Sequence, residues 1–110
     1  MKDLLEQAIT KFNDKARTDA KLQAELDGIE RKVLVDCKDG PKFNFLLKDR
    51  QIGPLLEGPV DAPDVTILSD STTLTALLKK EMGPMKAYAL QKLKLKASLD
   101  DVLRLRKFFQ

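Results

Sequence analysis

Six residues late in the chain, Lys92-Leu93-Lys94-Leu95-Lys96-Ala97, alternate strictly between charged and apolar side chains. Successive side chains of an extended strand point to opposite faces, so Leu93, Leu95 and Ala97 share one face and the three lysines the other. The flanks read as helix. Pro84 to Gln91 is a short helical run, and Ser98 to Lys107 is a helix with legible ends. Ser98 followed by Asp101 resembles a capping box with Asp in place of Glu. Asp100 and Asp101 open this helix and Arg104, Arg106 and Lys107 close it, the charge order that a helix dipole favours. A one-sided strand between two one-sided helices lays its apolar face against them. The result is an α+β layer enclosing an apolar interior, a place for a ligand.

The earlier chain supplies the rest of that layer. Leu4, Leu5, Ala8, Ile9, Phe12 and Ala16 recur at helical spacing, predicting a helix from Lys2 to about Ala16. Its polar side mixes Asp3, Glu6 and Asp14 with Lys2, Lys11 and Lys15, which fits a core-packing helix better than an anchor for anionic lipid. A second short helix, about Asp19 to Leu26, ends at Gly28. Arg31 to Cys37 and Lys42 to Lys48 read as strands joined by an Asp39-Gly40-Pro41 turn, hence an antiparallel hairpin. Gln51 to Glu57 is interrupted by Gly53-Pro54, which demotes it to an edge or a bulge. Asp64 to Leu68 is a further strand. Ser69 and Asp70 are both good caps for a helix carrying Leu74, Leu77, Leu78 and Met82, which Gly83-Pro84 is expected to stop.

Composition narrows the function. The chain has 110 residues, 34% charged and 43% hydrophobic, with a net charge of +3. That is the balance of one soluble globular domain, expected to span residues 1–110. No apolar run approaches the roughly 20 residues of a membrane span, and Met1-Lys2-Asp3-Leu4-Leu5-Glu6 is charged where a secretory leader is apolar. A lone cysteine makes no internal disulfide, so the expected location is cytoplasmic. There is no histidine, the commonest general base and metal ligand. Cys37, alone in a strand among apolar neighbours, reads as a small buried side chain rather than a nucleophile. No phosphate loop, paired-cysteine zinc spacing or Gly-x-Ser-x-Gly elbow is present. The expectation is a protein without catalytic residues, metal or cofactor. With 5% aromatics and no Trp, it also lacks the stacking platform of a single-strand nucleic-acid binder, so no nucleic-acid partner is expected.

The order of these parts resembles the sterol carrier protein 2 family. It runs helix, sheet, Ser69-Asp70 before a Leu-rich helix, Gly83-Pro84-Met85-Lys86-Ala87, Lys92-Leu93-Lys94-Leu95-Lys96, and a last Leu-rich helix. The likeness covers nearly the whole chain and is most specific from Asp64 to Leu105. Members typically carry a Gly just before the Lys-aliphatic-Lys strand, where this chain has Gln91, and a Gly with Asp or Asn after it, where this chain has Ala97-Ser98. The end Lys107-Phe108-Phe109-Gln110 also lacks the Ser-Lys-Leu-type address of peroxisomal members.

The resemblance implies a five-stranded, largely antiparallel sheet covered on one side by helices. It also implies an apolar tunnel between them that binds and transfers a sterol, fatty acid or fatty acyl-CoA. The candidates for its lining are Leu74, Leu77, Leu78, Met82, Met85, Tyr88 and Leu90, with Phe43, Phe45, Leu103, Phe108 and Phe109 behind them. Lys92, Lys94 and Lys96, with Arg104, Arg106 and Lys107, are candidates for contact with lipid headgroups or with an anionic membrane surface. Two alternatives stay open. The same fold with a filled core serves as a protein-interaction module, and a close carboxylate pair in a cleft would suit a hydrolase. An apolar void of roughly 300 Å³ or more marks a tunnel; a filled core marks the module.

Overall fold

The alternation of apolar and polar residues along the strands becomes one two-faced sheet in the computed structural model of the protein. The structure describes residues 1–109, with Leu105 described by its backbone alone. Two helices come first, α1 (Lys2–Thr18) and α2 (Ala20–Leu26). The strands are β1 (Arg31–Cys37), β2 (Phe43–Lys48), β3 (Gln51–Ile52), β4 (Leu56–Glu57), β5 (Val65–Ser69) and β6 (Leu93–Lys96). Between β5 and β6 lie α3 (Ser71–Leu78) and α4 (Pro84–Ala89), and the chain closes with α5 (Leu99–Arg106) and a 3-10 turn, Lys107–Phe109.

The sheet order is β3-β2-β1-β5-β6, with β4 also pairing β2. Every pairing is antiparallel except β1 with β5. The expected hairpin of β1 and β2 forms, Val33 facing Phe45 and Val35 facing Phe43. The weak 51–57 segment divides at Gly53-Pro54 into two short edge pieces. Asp49 and Arg50, both at positive φ, make the tight turn from β2 to β3 without the glycine that usually betrays such a turn. The parallel neighbour of β1 is secured at its start by Asp64, whose N–H donates to the Lys32 carbonyl and whose carboxylate accepts from the Lys32 N–H.

One face of the sheet carries Val33, Val35, Phe43, Phe45, Leu47, Val65, Ile67 and Leu93, all buried among the helices. The α1 stripe of Leu5, Ile9, Phe12 and Ala16 joins them. Asn13 fixes α1 against the sheet edge: its side chain donates to the Ile52 carbonyl (2.9 Å) and accepts from the Ile52 N–H (2.7 Å). The other face carries Lys32, Leu46, Lys94 and Lys96, all exposed. β6 is an edge strand, where lysines discourage pairing with another chain.

α3 ends one turn before the expected stop. Lys80 adopts a left-handed conformation (φ 62°), its N–H donating to the Leu77 carbonyl while the Glu81 N–H reaches back to Ala76. These two bonds form a Schellman cap, usually built on Gly. With Lys rather than Gly at that position, no residue type marks the early stop. Gln91 is also left-handed (φ 59°). Its backbone turns the chain from α4 into β6 in a conformation that Gly adopts more readily.

Candidate functional site

Leu4, Gln7, Ala8, Lys11, Phe12 and Lys15 lie three or four residues apart on α1 and so share a stripe beside its buried face. Facing them are Leu77, Leu78 and Lys80 from the end of α3, and Lys107, Phe108 and Phe109 from the 3-10 turn. Together they bound a cleft of about 120 Å³. Its floor is apolar. Its rim carries four lysines, Lys11, Lys15, Lys80 and Lys107, with no acidic side chain among the described lining residues. None of the four is ion-paired with another described residue. The charges that look mixed along α1 are sorted in space, since Asp14 is taken by Arg17 at 2.6 Å while Lys11 and Lys15 turn to the cleft.

Behind the cleft is an inner void of about 20 Å³ among Phe12, Leu26, Val33, Phe45, Leu47, Ile52, Val65 and Phe108, room for about one water molecule. Phe12 and Phe108 border both spaces and form the wall between them. Phe108 packs on Phe45 (ring centroids 5.7 Å apart), on Phe109 (5.3 Å) and on Phe12 (6.5 Å). A charged cluster covers the inner void. Asp101, only 5% exposed, accepts from Arg31 Nε at 2.9 and 3.2 Å and from Arg104 Nη1 at 2.7 Å. Burial pushes the Asp101 carboxyl upward, but the hydrogen bonds from the two arginines outweigh it and hold it below the ordinary Asp value. The Ser98 hydroxyl does accept from the Asp101 N–H, as the capping pattern predicts, while the Asp101 side chain serves the arginines instead.

Several expected site residues lie elsewhere. Met85, Tyr88 and Leu90 are exposed on and just after α4, because Ala87 is the α4 residue that faces the core. Leu103 is likewise exposed on α5. Phe43 and Leu74 are sealed in the core, Phe45 borders the inner void, and Met82 packs half-buried against the core. Leu77, Leu78, Phe108 and Phe109 line the cleft. Of the expected headgroup cations, Lys92, Lys94, Lys96 and Arg106 are exposed, whereas Lys107 stands at the cleft rim. Arg104 is half-buried and held by Asp101 and the Glu25 carbonyl, so it is corrected from a free cation to a structural one. Lys11, Lys15 and Lys80 were not expected; the only sequence signal is that Lys11 and Lys15 continue the Leu4–Ala8 stripe.

The cleft is smaller than the roughly 300 Å³ at the low end of ligand pockets, so among the described residues it is not an open tunnel. A wider groove of about 470 Å³ lies on the outer side of the sheet, among Leu46, Pro54, Leu56 and Val60. Cys37 is buried, which pushes its thiol up, away from the reactive thiolate. Among the described residues no three cysteine, aspartate or glutamate side chains gather as a metal site. No described helix is long and apolar enough to cross a membrane.

A family model described as the SCP-2 sterol transfer family matches residues 9–110. Comparison with curated proteins found no match. Among solved structures, sterol carrier protein domain 2 of Helicoverpa armigera is similar at 14% identity and a TM-score of 0.65, covering 96% of this chain and 85% of that one. Palmitated SCP2L2 from Aedes aegypti is similar at 16% identity and a TM-score of 0.61, covering 96% of this chain and 93% of that one. The sec-alkylsulfatase Pisa1 from Pseudomonas sp. is similar at 17% identity and a TM-score of 0.61 over 78% of this chain, but the chain spans only 13% of that enzyme's length. At these identities the structural likeness concerns the fold.

Proposed function

Since the chain belongs to the SCP-2 sterol transfer family, we propose that it is a non-enzymatic lipid-binding and transfer protein whose ligand is an anionic amphiphile, a fatty acid or fatty acyl-CoA. The observation that carries this choice is the group of four lysines around an apolar cleft with no acidic side chain among its described lining residues. An acyl chain would lie on Leu4, Leu77 and Leu78 while its carboxylate or phosphates meet the lysines. A sterol, with one hydroxyl, would leave those cations unused.

The chain of such a ligand needs more room than the closed cleft offers. Phe108 is the piece to move, because it separates the cleft from the inner void and belongs to a three-residue turn rather than to a helix or strand of the sheet layer. A short turn outside the helices and the sheet opens locally at lower cost than core strands. The filled-core alternative, a protein-interaction module, has the small volume of the cleft in its favour and predicts that nothing enters.

Titration with a fluorescent fatty acid distinguishes them. The lipid reading expects saturable binding, displaced by unlabelled fatty acid, that weakens in Lys11→Gln/Lys15→Gln and is blocked by Leu78→Trp. Met85→Trp, on an exposed site, should bind as the wild type does. Absence of binding by the wild type, or loss of stability in Leu78→Trp with no ligand to lose, supports the filled module instead; overpacking a filled core costs about 1–3 kcal/mol.

A further inference from the structure

The two edges of the sheet end differently. Along β2 the edge is broken, because β3 and β4 pair with it separately and Gly53-Pro54 lies between them. An interruption with proline guards a sheet edge against another chain. At the other edge β6 runs unbroken from Leu93 to Lys96, and no described strand covers its far side. The direction of its backbone groups follows from its neighbours. The Ser69 carbonyl accepts from the Lys38 N–H just after β1, so the backbone groups of Ser69 face β1. Ser69 lies opposite Leu93, and Ile67 opposite Leu95. Backbone groups alternate sides along a strand, so Leu68 and Thr66 bond to Lys94 and Lys96. The N–H and C=O groups of Leu93 and Leu95 therefore point to the open edge.

Side chains at this edge are sorted by face. Lys94 and Lys96 are exposed on the outer face of the sheet, with no ion pair to another described residue. On the helix side, α4 packs on β6 through the fully buried Ala87, whose carbonyl accepts from the Lys92 N–H at 2.9 Å. That leaves Met85 74% exposed, Tyr88 57%, and Leu90, just past the end of α4, 52%. One side of the open edge is thus cationic, and the other carries unpartnered apolar side chains.

We propose that β6 accepts an added strand, an extended segment of a partner protein in which acidic and apolar residues alternate. Main-chain bonds to Leu93 and Leu95 hold such a segment, and its side chains give the specificity. Because they alternate between faces, its acids fall beside Lys94 and Lys96 and its apolar residues fall on the side of α4. The lysines that discourage a neutral or basic strand favour this one, since each opposite-charge pair across adjacent strands contributes up to about fivefold in affinity. A second copy of this chain fits poorly, because antiparallel pairing of β6 with β6 through Leu93 and Leu95 sets Lys94 against Lys94. Strand addition here goes beyond the ligand reading and does not depend on it, because none of these residues lines the cleft.

The probe is a short fluorescein-labelled peptide of alternating Glu and Val, followed by anisotropy and by amide hydrogen exchange. It should bind saturably, about tenfold more tightly than the same peptide with Lys in place of Glu. In the complex the Leu93 and Leu95 amides should exchange about tenfold more slowly or less, whereas those of Lys94 and Lys96, already bonded to β5, should change little. Lys94→Glu/Lys96→Glu should invert the preference toward the lysine peptide. Met85→Ser/Tyr88→Ser should weaken binding of the glutamate peptide, and neither variant should move the unfolding midpoint. Four results would overturn the proposal. They are no binding of the glutamate peptide, equal affinity for the two peptides, binding that leaves exchange at Leu93 and Leu95 unchanged, and a dimer of the peptide-free protein with those amides already protected. The last would assign the edge to a second copy. Fatty-acid titration in peptide-free solution is read separately, so either reading fails without the other.

Discussion

Lys80 occupies a backbone position where Lys is the wrong residue for stability. A left-handed φ of 62° costs a side-chain-bearing residue roughly 1 kcal/mol that Gly would not incur. Lys80 also places its charge on the cleft rim. Lys80→Gly should therefore raise the urea midpoint, by about 0.5–1 kcal/mol in stability, while weakening fatty-acid binding; the two readouts moving in opposite directions would separate a site residue from an ordinary cap. Asp101 is the converse case, a charge whose worth is structural. Asp101→Asn should cost roughly 2–3 kcal/mol, between an exposed pair and a sealed one, because Arg31 and Arg104 are only partly covered. The pH dependence follows. The Ser71 hydroxyl and N–H lower the Asp39 carboxyl, and the Thr73 N–H lowers that of Asp70. Like Asp101, these groups contribute stability that is present above their ordinary value of 3.8 and lost as the pH falls through their lower folded values. Urea unfolding followed down in pH should show that acid-side decline, and Asp101→Asn should make it shallower.

At the scale of elements, the 3-10 turn after α5 is the part whose position decides between a filled core and a receptive one. Phe108 fills space between α1 and β2 by touching both Phe12 and Phe45. Its removal should join the cleft to the inner void. Phe108→Ala should cost about 3 kcal/mol or more, as for buried aromatics generally. If an acyl chain takes the place of that ring, saturating fatty acid should restore more stability to Phe108→Ala than it adds to the wild type, read as the shift in thermal midpoint. No greater rescue in the variant would show that the space is not a lipid site. α3 and α4 divide the labour differently. α3 presents Leu74 and Leu77 to the core and ends at the cleft, while α4 buries only Ala87 and turns its larger apolar residues outward.

For the whole molecule, the two periods of the sequence determined most of the architecture. Period-two alternation in 42–48 and 92–97 assigned each side chain to a face, because a strand has no other way to place neighbours. The stripes on α1 and α3 assigned the buried sides of those helices, and Asp70 and Ser98 marked where helices begin. Three matters were settled only by tertiary structure. The parallel pairing of β5 with β1 depends on Asp64 meeting Lys32 across 32 positions, which no local pattern encodes. The direction of Met85, Tyr88 and Leu90 depends on which single residue of a six-residue helix reaches the core, and so short an element leaves its rotation to its neighbours. The lysine rim brings together positions from 11 to 107; periodicity speaks for one element at a time, whereas a site is built where several converge.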